Sequence, residues 1–261
     1  MLLKLTESCN MGCLHCMSNC VPDETTHMTD DTFEQCIRFM KKYYNSLHTI
    51  VVSGGEPTDH PKFSEYIKKL VKEFSNKNIC DPAIAICTNG LWINENFNEF
   101  KELYDELKNI HCSKVVWQIT NIPGLYPKRL NEYTIKKLNK MKNVTVENTT
   151  SGCILYPQGR TLENNLEWKT NAPKCFNIRS ISKKCSVFTD VLILMTQFKK
   201  VCTPSIEYDG SLKLGESYLC PKCCTIWNTE EEIIKSIKEF KCLKCKEAIS
   251  CLPEIAKEII M

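Results

Sequence analysis

Three cysteines lie close together near the start of the chain, in the stretch Cys-Asn-Met-Gly-Cys-Leu-His-Cys. Cys9, Cys13 and Cys16 are separated by three and two residues, so one short loop can bring three thiols to one small inorganic group. Soft thiolates suit zinc or an iron–sulfur cluster. Structural zinc needs four ligands, and Cys20 could be the fourth, although this loop lacks the usual pair of Cys-x2-Cys knuckles. Three thiolates on a [4Fe–4S] cluster would instead leave one iron open to an outside ligand.

Cysteine is the residue in which this composition departs from that of an ordinary globular protein. The chain has 261 residues, of which 18 are cysteine, and a formal net charge of +3. Abundant cysteine in a chain of this length favours metal or cluster binding over disulfides.

The low charge and the lack of a basic tract give no indication of nucleic-acid binding. Neither a membrane span nor a signal peptide is indicated, so we expect a cytoplasmic protein.

The segments that must position these thiols alternate between strand and helix up to about residue 165. Strands are predicted over 2–6, 48–54, 83–90, 114–120 and 143–149, and helices over 29–44, 61–74, 95–109 and 130–142. Such alternation implies parallel strands covered by helices, which predicts an α/β fold with a partial (β/α)6 barrel. Chemistry in such folds lies at the carboxyl ends of the strands, and the cysteine stretch follows the first strand.

The pattern changes beyond about residue 166, where cysteine becomes frequent. Residues 170–261 contain nine of the 18 cysteines. A hairpin is predicted over 205–215, with its turn at Asp209 and Gly210, and a helix over 229–240. We therefore predict two domains, residues 1–168 and a small cysteine-rich domain, residues 169–261.

The cysteine stretch after the first strand resembles the signature of the radical S-adenosylmethionine (SAM) superfamily. In that family three thiolates hold a [4Fe–4S] cluster, and SAM chelates the open iron. The resemblance implies reductive cleavage of SAM to methionine and a 5′-deoxyadenosyl radical, which takes a hydrogen atom from a small-molecule or peptide substrate. It also implies anaerobic chemistry and an electron donor such as flavodoxin or ferredoxin.

Further stretches resemble the family's SAM-binding motifs. Ser-Gly-Gly-Glu-Pro, residues 53–57, closes the second strand, where glycines would let the backbone approach SAM and Glu56 would accept a bond from its ammonium. The alternative is an ordinary tight turn. Arg160 ends a Pro-x-Gly-Arg stretch and would face the SAM carboxylate, or else lie exposed on a surface turn. The resemblance implies that the residues contacting SAM are His15, Gly54, Gly55, Glu56, Pro57, Asn89, Thr120 and Arg160.

The later cysteines resemble the auxiliary-cluster domain called twitch. A Cys-x12-Gly-x4-Cys stretch with Gly215 at its centre is followed by a Cys-x2-Cys pair. The resemblance implies that an auxiliary [4Fe–4S] cluster is held by Cys202, Cys220, Cys242 and Cys245. The longer SPASM pattern continues to Cys251 and then stops, because Ile255 occupies the next cysteine position.

A zinc ribbon is the alternative for this region. Cys220-x2-Cys223 and Cys242-x2-Cys245 form two knuckles, separated by 18 residues. Cys223 or Cys224 could also replace Cys220 as the ligand of a cluster.

The remaining cysteines carry weaker expectations. Packed thiols are predicted for Cys36, Cys80, Cys87, Cys112, Cys153, Cys175 and Cys185, although one of the last three could face the active site to donate a hydrogen atom or form a thioether.

No catalytic side chain is predicted. The favoured function is an oxidative modification assisted by the auxiliary cluster. The alternatives are a peptide maturase that forms a crosslink or thioether, and a zinc-binding interaction protein.

Overall fold

One mixed sheet runs through the part of the chain that the computed structural model describes, which is residues 1–22, 24–75, 81–110, 114–149, 155, 159–167, 187–189, 192, 204–215, 218 and 220–239. Its strands are β1 (Leu2–Lys4), β2 (Thr49–Ser53), β3 (Ala83–Thr88), β4 (Val115–Thr120), β5 (Val144–Glu147), β6 (Ser205–Ile206), β7 (Ser211–Lys213) and β8 (Lys222–Thr225). Their order in the sheet is β5-β4-β3-β2-β1-β6-β7-β8. Strands β1 to β6 pair in parallel, and β7 and β8 are antiparallel.

The helices up to residue 163 lie between the parallel strands, as the alternation in the sequence predicts, and one further helix follows β8. They are α1 (Asp30–Lys42), α2 (Phe63–Glu73), α3 (Leu91–Glu95), α4 (Phe97–Ile110), α5 (Glu132–Leu138), α6 (Arg160–Glu163) and α7 (Glu230–Glu239). Thr29 caps α1, because its hydroxyl accepts a hydrogen bond from the N–H of Thr32 at 3.3 Å. Among the described residues, no helix is both long and apolar enough to cross a membrane.

The two faces of the parallel sheet differ in burial. Alternate residues such as Ile86 and Trp117 are fully buried in the main apolar core. On the opposite face Cys87 is half-buried and donates a hydrogen bond to the exposed Gln118 at 3.2 Å. The prediction that Cys87 is a buried packing thiol is therefore wrong, whereas Cys36 is fully buried as expected. Cys80 and Cys112 lie outside the described residues.

The sixth parallel strand lies at a place that the alternation does not predict. β6 pairs with β1, with Leu2 opposite Ser205, on the side of β1 away from β2. The predicted hairpin is confirmed, and Gly210 in its turn has φ of +76°. However, this hairpin extends the main sheet instead of standing apart from it. The boundary between residues 168 and 169 stays a prediction.

A buried group of charges joins β1 to the hairpin. The ammonium of Lys4 lies 3.2 Å from the Glu207 carboxylate, and that of Lys213 lies 3.2 Å from its other oxygen. The Ser205 hydroxyl also donates to Glu207, at 2.8 Å. All three charged side chains are at least nine-tenths buried. Charges at such depth are tolerated because each one has opposite charge and hydrogen bonds beside it.

Replacing Glu207 by Gln should destabilise the protein strongly, because two buried ammonium groups would lose their carboxylate. We expect the free energy of unfolding to fall by about 3–5 kcal/mol, measured by denaturant titration. Glu106→Gln is the matched control, since the Glu106–Lys68 pair is 49% and 40% exposed and should change stability by less than about 1 kcal/mol. Equal effects of the two substitutions would contradict a stabilising role for the buried group.

Candidate functional site

The three cysteines of the N-terminal stretch share one small buried cluster at the carboxyl end of β1. Cys9 and Cys13 are buried together with Met11 and Cys20, and the half-buried Cys16 packs against them. We call residues 9–20 the cysteine loop. Within the described residues, no three His, Cys, Asp or Glu side chains converge on a point where one metal ion could bind. A cubane does not require that convergence, because each of its thiolate ligands binds a different iron.

The thiols of the cysteine loop differ in their ionisation. Burial raises the pKa of Cys9 to about 12 and that of Cys13 to about 11. The pKa of Cys16 is lowered by its contacts with the side chain and backbone of Cys20, and the neighbouring Cys16 raises the pKa of Cys20. Cys20, which the sequence offers as a fourth zinc ligand, donates its thiol hydrogen to the Ser18 carbonyl at 3.6 Å.

The glycine-rich turn, residues 53–57, packs backbone to backbone against the segment that leads into the cysteine loop. The N–H of Gly55 donates to the Thr6 carbonyl at 2.8 Å. A Cβ atom on Gly54 would lie 2.5 Å from that carbonyl, and one on Gly55 would lie 2.1 Å from the carbonyl of Ser8. No side chain fits at either distance. These glycines therefore permit a close approach of the chain to itself, whereas the sequence indicates an approach to a ligand or an ordinary tight turn.

Glu56 connects the glycine-rich turn to the end of β3. Its buried carboxylate accepts bonds at 2.7 Å from the Thr88 hydroxyl, the Thr58 hydroxyl and the Asn89 N–H, and one at 3.2 Å from the Thr58 N–H. Burial raises the pKa of Glu56, and these four donors oppose that effect. Three of the bonds go to Oε1, so Oε2 has more room for a further donor such as an ammonium. Pro57 follows as the first residue of a short 3₁₀ helix.

Three asparagine side chains link the ends of β3 and β4 to the cysteine loop. Asn89 donates through its amide to the Asn10 side chain at 2.8 Å. The fully buried Asn121 donates to the Asn89 carbonyl at 3.3 Å and accepts from the Leu130 N–H at 3.0 Å. Sequence reasoning identifies Asn89 but misses Asn10 as a site residue. Thr120 ends β4, half-buried.

His15 lies in the middle of the cysteine loop, beside Tyr126, with 5.1 Å between the ring centroids. Burial lowers the pKa of its imidazole. Its Nδ1 is buried and makes no hydrogen bond to any part of the chain that the structure describes. A buried ring nitrogen of this kind fits a site that is completed by a bound ligand. This atom and the three clustered thiols are compatible with a cluster and an attached organic ligand.

Arg160 contacts the backbone side of the cysteine loop. Its guanidinium donates to the carbonyls of Cys13 and Cys20, both at 3.2 Å, and to the side chain of Asn19 at 2.7 Å. These bonds use three of its five N–H groups, so two remain for another acceptor. The predicted contact with a SAM carboxylate stays a prediction.

The predicted auxiliary ligands can be placed only in part. Cys220 is buried in the turn before β8, whereas Cys223 and Cys224 lie within β8, half-buried against the main core. The described residues do not include Cys153, Cys175, Cys185, Cys202, Cys242, Cys245 and Cys251. The auxiliary cluster, the zinc ribbon and the roles of these thiols are therefore predictions.

Comparison with known proteins gives one family match and several more distant similarities. The sequence profile of the radical SAM superfamily matches residues 3–164. The GTP 3′,8-cyclases of two Clostridium perfringens strains are each 25% identical over 174 residues, 65% of this chain and 44% of theirs. The match thus spans less than half the length of these relatives.

Solved structures share the fold at low identity. BtrN in complex with AdoMet and 2-DOIA aligns with a TM-score of 0.56 and 12% identity, covering 91% of this chain and 84% of BtrN. Native anSMEcpe with bound AdoMet aligns with a TM-score of 0.44 and 15% identity, covering 94% of this chain and 85% of anSMEcpe. The likeness to BtrN supports the α/β fold with its parallel sheet.

Gly55→Ala should disrupt the site, because its Cβ would lie 2.1 Å from a backbone oxygen that no side-chain rotation can move. We expect a loss of about 3 kcal/mol in the free energy of unfolding, the upper end for overpacking. Denaturant titration of the metal-free protein measures this loss. Gly12→Ala is the control within the cysteine loop, since its Cβ would meet no atom within 4 Å. Equal stability of the two variants would contradict the close approach.

Proposed function

Because this chain belongs to the radical SAM superfamily, we propose that Cys9, Cys13 and Cys16 hold a [4Fe–4S] cluster at which SAM binds. Membership in the family implies an enzyme that uses both groups. When bound, they would supply the electron and the 5′-deoxyadenosyl group with which a substrate hydrogen atom is removed. The chain's own residues hold these groups, orient them and keep water away.

The observation that carries this proposal is the packing of the glycine-rich turn against the segment that enters the cysteine loop. Gly55 and Glu56 donate their N–H groups to the carbonyls of Thr6 and Ser8, both at 2.8 Å. A ligand on the thiol cluster would therefore meet polar groups of the turn. We propose that the SAM-contacting groups come from His15, Gly54, Gly55, Glu56, Pro57, Asn89, Thr120 and Arg160.

In this proposal each part of the site has a separate task. Cys9 and Cys13 release protons when they bind iron, so their raised pKa makes cluster assembly more favourable as the pH rises. The Oε2 atom of Glu56 accepts a bond from the SAM ammonium. The buried Nδ1 of His15 acquires its hydrogen-bond partner when the ligand is bound.

We further propose an oxidative modification of a small molecule or peptide, assisted by an auxiliary [4Fe–4S] cluster and supplied with electrons by a flavodoxin or ferredoxin in the cytoplasm. The proposed auxiliary ligands are Cys202, Cys220, Cys242 and Cys245. Cys220 is preferred over its two neighbours, since Cys223 and Cys224 already pack against the main core.

Reduced protein that carries its cluster should convert SAM to 5′-deoxyadenosine, which mass spectrometry can quantify. Cys13→Ala should abolish this product, because two thiolates would remain to hold the cluster. Cys36→Ala is the control, since this thiol is buried in α1 and belongs to the main core. An unaltered protein that carries a [4Fe–4S] cluster and does not cleave SAM would rule out the proposed activity.

Anaerobic reconstitution followed by metal analysis tests the auxiliary cluster. Two cubanes require about eight irons per chain, whereas one cubane and a zinc ribbon require about four irons and one zinc. Cys242→Ala should lower the count to about four irons and leave some SAM cleavage. Cys251→Ala should leave the count unchanged. One zinc per chain in the unaltered protein would favour the ribbon instead.

A further inference from the structure

One short segment donates hydrogen bonds to five backbone carbonyls of the cysteine loop. We call residues 159–164 the clamp segment. Besides the two carbonyls bound by the Arg160 guanidinium, the Arg160 N–H donates to the Cys16 carbonyl at 3.1 Å. The Asn164 side chain donates to Leu14 at 2.8 Å, and the Thr161 hydroxyl donates to His15 at 3.4 Å. The loop carbonyls that receive bonds from the clamp segment are those of Cys13, Leu14, His15, Cys16 and Cys20.

The clamp segment lies so close to the loop that its first residue must be glycine. A Cβ on Gly159 would lie 2.6 Å from the Cys16 carbonyl and 2.9 Å from the Cα of Met17. Gly159 also has φ of +57°, a conformation that other residues adopt with strain. The approach places Arg160 directly over the loop.

The guanidinium of Arg160 joins the two ends of the segment from 13 to 20. Its planar group reaches the carbonyls of Cys13 and Cys20 at the same time as the side chain of Asn19. Asn19 has φ of +57°, so its bond to Arg160 helps to hold a left-handed turn. A lysine ammonium carries the same charge but has no fixed plane of donors, so it cannot serve these three acceptors in one geometry.

The same group brings a permanent positive charge to the cysteine loop. Arg160 is half-buried, with its Nη1 atom 3.2 Å from the carbonyl of a predicted cluster ligand, Cys13. Reduction makes a thiolate-bound cluster more negative, and a nearby positive charge stabilises the reduced form. Charge and hydrogen bonds around the thiolates are known to set such potentials.

We propose that Arg160 is a positioning residue with two separable effects. Its planar donors hold the cysteine loop in shape before any cluster binds, and its charge raises the reduction potential of the bound cluster. The second effect rests on the proposed function, because it requires a cluster on the loop. The first effect concerns the protein alone.

Hydrogen–deuterium exchange of the metal-free protein tests the first effect. Amides 13–20 should exchange about tenfold faster in both Arg160→Lys and Arg160→Gln, since both lose the planar set of bonds. Arg129→Gln is the control, since Arg129 is exposed and bonds to none of these carbonyls. Exchange at the unaltered rate in Arg160→Gln would overturn the positioning role.

Asn164→Ala is a milder variant for the case in which Arg160→Gln does not fold. It removes one bond, to the Leu14 carbonyl, and should speed exchange near residues 14–16 while the rest of the chain keeps its protection. Unchanged exchange there would count against the clamp segment as the element that holds the loop.

Redox titration of the reconstituted protein, followed by electron paramagnetic resonance, tests the second effect. The potential should fall in Arg160→Gln and stay near the unaltered value in Arg160→Lys, which keeps the charge. Equal shifts in both variants would overturn the electrostatic role. If the unaltered protein assembles no [4Fe–4S] cluster, the proposed function fails, and the exchange experiment still decides whether Arg160 shapes the loop.

Discussion

The site depends on the close approach of two backbone segments, the glycine-rich turn and the residues that lead into the cysteine loop. The approach leaves no room for a Cβ on Gly54 or Gly55, and it aligns the amides of Gly55 and Glu56 with the carbonyls of the facing segment. Glu56, the next residue, is thereby directed to the end of β3, where it accepts bonds from Thr88 and Asn89. One contact thus connects the carboxyl ends of β1, β2 and β3. A wider separation of the two segments would break the hydrogen bonds that join these three strand ends.

The sequence predicts those parts of the fold that have a local sequence pattern. The five strands of the alternating region are short, largely apolar runs that end at glycine or polar residues, and each is found within a few positions of its predicted bounds. β6 was missed as a barrel strand, because it has two residues and pairs with β1 about two hundred positions away. Lys4 and Glu207 have no sequence signal either, because each is a single charge beside apolar residues and its partner is about two hundred positions away.

The residue types of the candidate site could be predicted from the sequence, whereas the hydrogen bonds that join them are harder to predict. Cysteine spacing and the glycine-rich turn are local features, and both lie at strand ends as expected. Asn10 has no such signature, because its partner Asn89 is 79 positions away and an amide pair follows no spacing rule. Spacing identifies Cys20 only as a possible zinc ligand, since its hydrogen bond to the Ser18 carbonyl depends on how the loop turns.

The cysteine loop is held from two sides by segments that are distant in sequence. The glycine-rich turn fixes the segment that enters the loop, and the clamp segment binds five of the carbonyls from Cys13 to Cys20. The backbone therefore has its hydrogen bonds within the protein, while the thiols make weaker sulfur contacts, such as that of Cys13 with the Met11 sulfur at 3.9 Å. Because weak contacts are the ones most readily exchanged, the thiols can take a ligand while the backbone keeps its shape. Such preorganisation lowers the cost of placing three ligands on one small group.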